Sequence, residues 1–421
     1  MKTAVAVCAF LLIALSLPAL TASPTAKPEE VGLSSERLLR INQMIERRIA
    51  AGDLAGAVTI VARKGKVVHH SAQGVMDLES KKPMASSSMF RIASMTKPVI
   101  GVAVMMLVEE GKLHLNDPVS RYIPQFKDMK VAMPITTPAP GGGRAGGPAN
   151  AAPRFYTVPA QRDITIKDLL THTSGLGSGP MGNSEIEKVA RKDGETLADY
   201  IPRLGTTALE FQPGSRWTYS PGAGFETLGR VIEIASGMKL DQFFRTRIFD
   251  PLAMKDITFW PTDAQMPRVA TVYTRSANGL TKTAMPNDTM SRNVYFRGSG
   301  GLYSTAEDYI PLGMMLANGG ELNGKRLLSR KTVEMLSAAH VKDTLPGRPA
   351  GEGYGLSVRV VTDHAVRGTM LSDGTFGWTG AQGTHFFVDP HEELTGVLMV
   401  QTSNGEIQRE FEDLVAQSVV D

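Results

Sequence analysis

The stretch Phe90-Arg91-Ile92-Ala93-Ser94-Met95-Thr96-Lys97 runs from a strand-like beginning, residues 89–92, into an apolar segment at residues 99–108 that predicts a helix. Pro98 is tolerable in that helix's first turn, where its missing N–H is not needed. Ser94 and Lys97, three positions apart at a helix start, share a face, so the lysine nitrogen can reach the serine hydroxyl. Partial burial and positive neighbours would lower the lysine pKa and let it act as a base. The helix N-terminus favours negative charge developing next to Ser94. Ser-x-x-Lys alone is a weak signal, since a chain this long contains about one by chance at average composition. A second copy, Ser236-Gly237-Met238-Lys239, sits where a helix ends at Gly237, which leaves its serine no helix start.

Outward from this stretch, Ser34-Ser35-Glu36 opens a helical periodicity that continues to about Ala51. Two strand-like runs follow, Gly56–Arg63 and residues 67–73, joined by Lys64-Gly65-Lys66 as in a hairpin. Toward the C-terminus, residues 356–362, 364–370, 383–388 and 394–401 read as strands and 406–419 as a closing helix. The expected architecture is α/β (α+β): one antiparallel sheet assembled from both termini, flanked by N- and C-terminal helices, with an inserted helix-rich lobe. The sheet lobe would comprise residues 30–96 and 341–421 and the helix-rich lobe 97–340, with an active site in the groove between them. Residues 134–154 are about half Gly or Pro and read as a mobile loop, either a surface insertion or a lid.

The 421 residues are 42% hydrophobic and 21% charged, which excludes a disordered, collagenous or many-pass membrane protein. The net charge of +3 comes from mixed charges without a basic run, so no nucleic-acid partner is expected. Lys2, the uncharged residues 3–21 and Leu20-Thr21-Ala22 resemble a secretory signal peptide cut near Ala22. The run is nearly long enough for a retained anchor, against which Ser16 and Pro18 weigh. Cleavage removes Cys8, the one thiol, and leaves a secreted or periplasmic protein with neither disulfides nor a catalytic cysteine, and no stable membrane insertion.

Other catalytic signals are missing. There is no Gly-x-Ser-x-Gly elbow and no His-Glu-x-x-His pair, and the eight histidines are scattered, so neither metal nor cofactor is expected. Residues 319–325 match most of a phosphate loop, but Arg326 stands where Ser or Thr must hold magnesium.

From Gly56 to Pro118 the chain resembles the serine β-lactamase/penicillin-binding-protein superfamily. The similarity rests on residues 90–97, Glu110-Gly111-Lys112-Leu113 and Leu115-Asn116-Asp117-Pro118. Ile166-Lys167-Asp168-Leu169-Leu170-Thr171-His172-Thr173-Ser174-Gly175-Leu176 is typical of the class C-like branch, where the His-Thr-Ser-Gly stretch is a structural turn. The resemblance therefore makes His172 structural. Phe211 to Pro221 looks like the setting of the family's tyrosine, which makes Tyr219 the residue that shares protons with Lys97, its phenolate stabilised by the nearby ammonium. Gly377-Trp378-Thr379-Gly380-Ala381-Gln382-Gly383-Thr384 fits the substrate-binding strand start, and the N–H groups of Ser94 and Ala381 would form the oxyanion hole. Residues 298–308 also fit and would pack the helical lobe.

Two departures matter. Pro221 stands where lactamases and D,D-peptidases carry Asn, and Trp378 where they carry a carboxylate-binding Lys. Losing both resembles the family VIII carboxylesterases. The resemblance implies a β-lactamase-like fold and hydrolysis of small esters: Ser94 as nucleophile, Lys97 and Tyr219 handling its proton, and Trp378, Thr379 and Gly380 against the substrate. The alternatives are a β-lactamase, D,D-peptidase, amide hydrolase or acyltransferase using the same site, or a non-catalytic envelope-binding relic.

Overall fold

The computed structural model describes residues 23–135, 154–285 and 291–421. The expected leader with Cys8, and all but the two ends of the Gly/Pro-rich segment, fall outside those residues.

An eight-stranded sheet organises the chain. Its strands are β1 (Gly56–Arg63), β2 (Lys66–Asp77), β3 (Lys82–Pro83), β4 (Glu352–Tyr354), β5 (Arg359–Val361), β6 (Phe376–Thr379), β7 (His385–Asp389) and β8 (Leu394–Met399). The order is β4-β5-β6-β7-β8-β1-β2-β3, antiparallel throughout. N- and C-terminal strands meet at β1 and β8, with Val58 opposite Met399 and Arg63 opposite Leu394. The β1–β2 hairpin turns at Lys64 and Gly65, both at positive φ, as a tight two-residue turn requires.

Both faces of the sheet are covered, which explains why its central strands read as continuous apolar runs. Ala57, Val61, Phe387, Leu394 and Leu398 pack against the terminal helices α1 (Ser35–Ala50) and α5 (Gly405–Ala416), through Leu38, Ile41, Ile45, Ile407 and Phe411. The alternate residues Val58, Ile60, Phe386, Val388, Val397 and Met399 face the other core, shared with the helical elements that lie between Thr96 and Ser337 in the chain. Ser34 caps α1 by accepting from the Arg37 N–H.

The helix predicted from residues 99–108 is α2 (Thr96–Glu109). It is buried nearly all round, as a helix apolar on every side must be. Helix α3 (Ala223–Ser236) packs beside it, and α4 (Ala306–Ala317) packs on strands β1, β7 and β8.

One expected strand is a helical turn instead. His364–Arg367 is a short helix, with the Asp363 carboxylate accepting from the Val366 N–H and Gly368 closing it at φ +69°. A cap and a left-handed glycine bracketing four residues outweigh the apolar alternation. Strand β4 escaped prediction because two of the residues around it, Gly351 and Gly353, carry no side chain to set a pattern. Residues 319–325 form a small hairpin, Glu321–Leu322 with Lys325–Arg326, not a phosphate loop.

Candidate active site

Ser94 lies in a short helical turn, Ala93–Met95, that leads directly into α2. Ala93 is held at φ +43°, a left-handed conformation that costs a side-chain-bearing residue about 1–3 kcal/mol. Surrounding bonds hold the turn in place. The Ile92 N–H donates to the Leu302 carbonyl at 3.1 Å, the Leu302 N–H to Thr96 Oγ1 at 3.2 Å, and the Tyr309 hydroxyl to the Met95 carbonyl at 2.7 Å. The Gln401 amide accepts from the Arg91 N–H and donates to the Arg91 carbonyl.

Three predicted residues converge here. Lys97 Nζ lies 3.2 Å from Ser94 Oγ, and Tyr219 Oη lies 2.7 Å from the same oxygen. Lys97 also donates to the carbonyls of Ser299 at 2.6 Å and Pro221 at 3.1 Å. Its nitrogen stands 5.1 Å over the Tyr219 ring and 5.3 Å over that of Phe225. Lys97 is fully buried, and burial pushes its pKa down to about 7, with the Glu226 carboxylate opposing the shift and Arg297 adding to it. Near neutrality much of the amine is therefore uncharged. A neutral amine has two N–H donors and one lone pair. The two carbonyls take the donors, which leaves the lone pair for the Ser94 hydroxyl.

Tyr219 departs from expectation. Burial pushes its phenol up, only partly offset by the Ser94 hydroxyl and the Trp378 indole, so no phenolate is favoured at neutral pH. Its hydroxyl therefore stays protonated beside Ser94, and of the two neighbours the Lys97 amine is the one able to accept a proton near neutral pH.

Trp378 is the last residue but one of β6, and its ring lies 5.7 Å from that of Tyr219 and 5.2 Å from that of Tyr354. Thr379 follows in the strand and Gly380 just beyond it. A side chain at Gly380 would begin 2.5 Å from the Ile92 carbonyl, so glycine is what lets this strand end approach the Ser94 turn. The Thr384 hydroxyl, donating to the same carbonyl at 3.3 Å, joins the turn after β6 to the segment that carries Ser94. Ala381 is exposed in that turn, and the Ser94 N–H belongs to the first amides of a helical segment, which lack intrahelical acceptors.

His172 is fully buried at φ +57°, and its Nδ1 accepts from the Ser220 N–H at 3.1 Å. Burial holds the ring far below its ordinary pKa, with the charges of Lys97 and Arg348 adding to the effect. Packed 4.7 Å from the Tyr219 ring, it braces the tyrosine's segment as a neutral structural residue. Ser236 donates to the Ile232 carbonyl at the end of α3, and Lys239 is exposed, so the second Ser-x-x-Lys assembles nothing.

Glu226, Tyr295 and Ser299 are the site's neighbours that sequence reasoning missed. Residues 298–308 do more than pack the helical lobe, because the Ser299 carbonyl is a ligand of the Lys97 amine. The one signal for Glu226 was an acidic residue amid the apolar run of α3. Among the described residues, no three His, Cys, Asp or Glu side chains gather so as to hold a metal ion.

Comparison with known proteins agrees with this geometry. The family described as Beta-lactamase matches residues 41–419. Protein Rv1367c of Mycobacterium tuberculosis is 34% identical over 374 residues, 86% of this chain and 89% of its own. Esterase EstB of Burkholderia gladioli is 30% identical over 393 residues, 86% of this chain and 90% of its own. Among solved structures, EstCE1, described as a hydrolase with promiscuous acyltransferase activity, superposes with a TM-score of 0.75 at 27% identity, over 92% of this chain and 99% of that one. The chain belongs to the beta-lactamase family and has its fold, and it is a serine hydrolase of that family.

Proposed function

We propose that this member of the beta-lactamase family is an exported carboxylesterase that cleaves small neutral esters through an acyl-serine intermediate. Ser94 Oγ attacks the ester carbonyl carbon while its proton passes to the Lys97 amine, 3.2 Å away. The N–H groups of Ser94 and Ala381 receive the developing oxyanion. As the tetrahedral intermediate collapses, the C–O bond to the alcohol breaks, and the alkoxide takes the proton back through Lys97 and the Tyr219 hydroxyl. Water then attacks the acyl carbon, surrenders a proton to the same pair, and releases the carboxylic acid and free Ser94.

One observation carries the ester reading over a β-lactam one. Where a lactamase has a side-chain amide, Pro221 offers a carbonyl alone, and Lys97 already occupies it. At the strand end, Trp378 supplies an indole face where a cation would grip a substrate carboxylate. Arg216 does not replace that cation, since it is exposed and lies 5.4 Å over the Phe211 ring. The likeness to EstB supports the same reading. Export is proposed from the leader-like start of the chain, and the expected partner is a small-molecule ester.

Acyl transfer is the second reading, favoured by the activity stated for EstCE1, because only the second acceptor differs from water. Hydrolysis of aryl esters of graded acyl length, run beside one cephalosporin and with a competing alcohol, tests both. Turnover of short esters supports the proposal, ester exchange with the alcohol supports transfer, and preference for the cephalosporin overturns it.

A further inference from the structure

A buried carboxylate is joined to the Lys97 amine through a single residue, Ser299. Glu226 lies in the first turn of α3, 5% exposed. Its Oε1 accepts from the Ser299 hydroxyl at 2.5 Å, and its Oε2 accepts from the Tyr295 hydroxyl at 2.7 Å. Ser299 is thus shared: its hydroxyl is bonded to Glu226 and its carbonyl accepts from Lys97 at 2.6 Å. A buried carboxylate is costly unless its oxygens are satisfied, and here two hydroxyl donors satisfy it without neutralising its charge. The Arg297 guanidinium is held at 3.7 Å and is more than half exposed, so water screens much of its attraction.

We propose that Glu226 is a positioning residue for Lys97: through Ser299 it fixes where the amine sits, and through its charge it sets how readily the amine holds a proton. This rests on the reading of Lys97 as the base that activates Ser94. Burial alone strongly favours the neutral amine and so weakens it as a base toward Ser94. An anion one residue away stabilises the ammonium that forms when the amine takes the Ser94 proton, and the far more basic leaving alkoxide can still draw that proton back. A group with both duties works best when its pKa lies near the working pH.

The other charged and titratable groups around the carboxylate do not duplicate this role. Tyr295 is pushed up by burial and by Glu226 itself, so it remains a donor. Tyr200 stands 6.3 Å from the Tyr295 ring and is pushed up as well, by burial first and by Glu226 second. Arg191 lies over the Tyr295 ring and Arg203 over the Tyr200 ring, so each guanidinium is in contact with a tyrosine. Among the described residues, the charge that opposes Glu226 at Lys97 is that of Arg297.

The test is a titration of the Lys97 side chain by NMR of full-length protein carrying 13C at the lysine Cε, with Glu226→Gln and Glu226→Asp beside the parent. Gln keeps the shape and can bond both hydroxyls but removes the charge, so its Lys97 midpoint should fall by roughly one pH unit or more. Asp keeps the charge and should remain near the parent. The acid limb of kcat/KM for p-nitrophenyl acetate should move with the NMR midpoint in each protein. If Gln fails to fold, Arg297→Gln at its exposed position probes the same balance from the other side and should raise the midpoint. An unmoved midpoint in a folded Gln variant overturns the proposal. A moved midpoint in proteins that hydrolyse no ester leaves the tuning intact and overturns the esterase reading instead.

Discussion

Tyr219 Oη stands 2.7 Å from Ser94 Oγ, and burial holds that phenol above its ordinary pKa. The tyrosine therefore meets the serine as a protonated hydroxyl, while the amine on the serine's other side titrates near 7. This division of labour sets what each substitution should do.

Tyr219→Phe removes the relay and leaves the base in place. Ester hydrolysis should fall by about two to four powers of ten. Combining it with Lys97→Ala should cost little more than the worse single change, because the two groups move one proton. Fully additive losses in kcat/KM would show that they act independently.

The pH dependence follows from Lys97. Its folded pKa is lowered to about 7, and the neutral form is the base, so kcat/KM should rise with pH and level off above about 7. Below that value activity should drop about tenfold per pH unit. Lys97→Arg keeps a cation that does not deprotonate, and it should be inactive across the range. A pH-independent parent enzyme would place the base elsewhere.

Substrate choice follows from Trp378 and Pro221. A group left unpaired in a closed site costs about 1–3 kcal/mol, and a charge costs more. kcat/KM for a short-chain aryl ester should exceed that for benzylpenicillin by at least about a thousandfold. Equal rates on the two substrates would mean that another cation grips the carboxylate.

Stability should fall in mild acid. His172 and His385 are buried and His69 is half-buried, and burial lowers the pKa of all three, that of His69 to about 4. Each takes up a proton near 6.5 when unfolded but resists it when folded, so the unfolded state binds more protons as pH falls below about 6.5. Thermal melts should therefore drop steadily from pH 7 toward the low pKa values, a trend the depressed carboxylate of Glu412 reinforces at the acid end. A midpoint that stays level down to about pH 5 would show that these rings become solvated before unfolding.

Much of this was legible in the sequence, and the limits have physical causes. The strands at the centre of the sheet and the cap at Ser34 announce themselves because pattern and propensity agree there. Ser94, Lys97 and Tyr219 could be named because side-chain chemistry is written in the residue type. The carbonyls of Ser299 and Pro221 could not, since every residue has one and only the fold selects which two face Lys97. The raised Tyr219 pKa was missed for a related reason: a nearby cation is visible in a motif, but the burial that outweighs it is not. The left-handed Ala93 shows no signal either, because its conformation is imposed by bonds from Leu302, Tyr309 and Gln401, all more than 200 positions away.

The central claim is that Ser94 carries the acyl group. Labelling the purified protein with a fluorophosphonate and mapping the adduct by peptide mass spectrometry tests it most directly, with Ser94→Ala as the companion. A single adduct on Ser94, and a folded Ser94→Ala protein that neither labels nor hydrolyses ester, is the predicted result. An adduct on Ser236, or full activity in Ser94→Ala with unchanged circular dichroism, would contradict it.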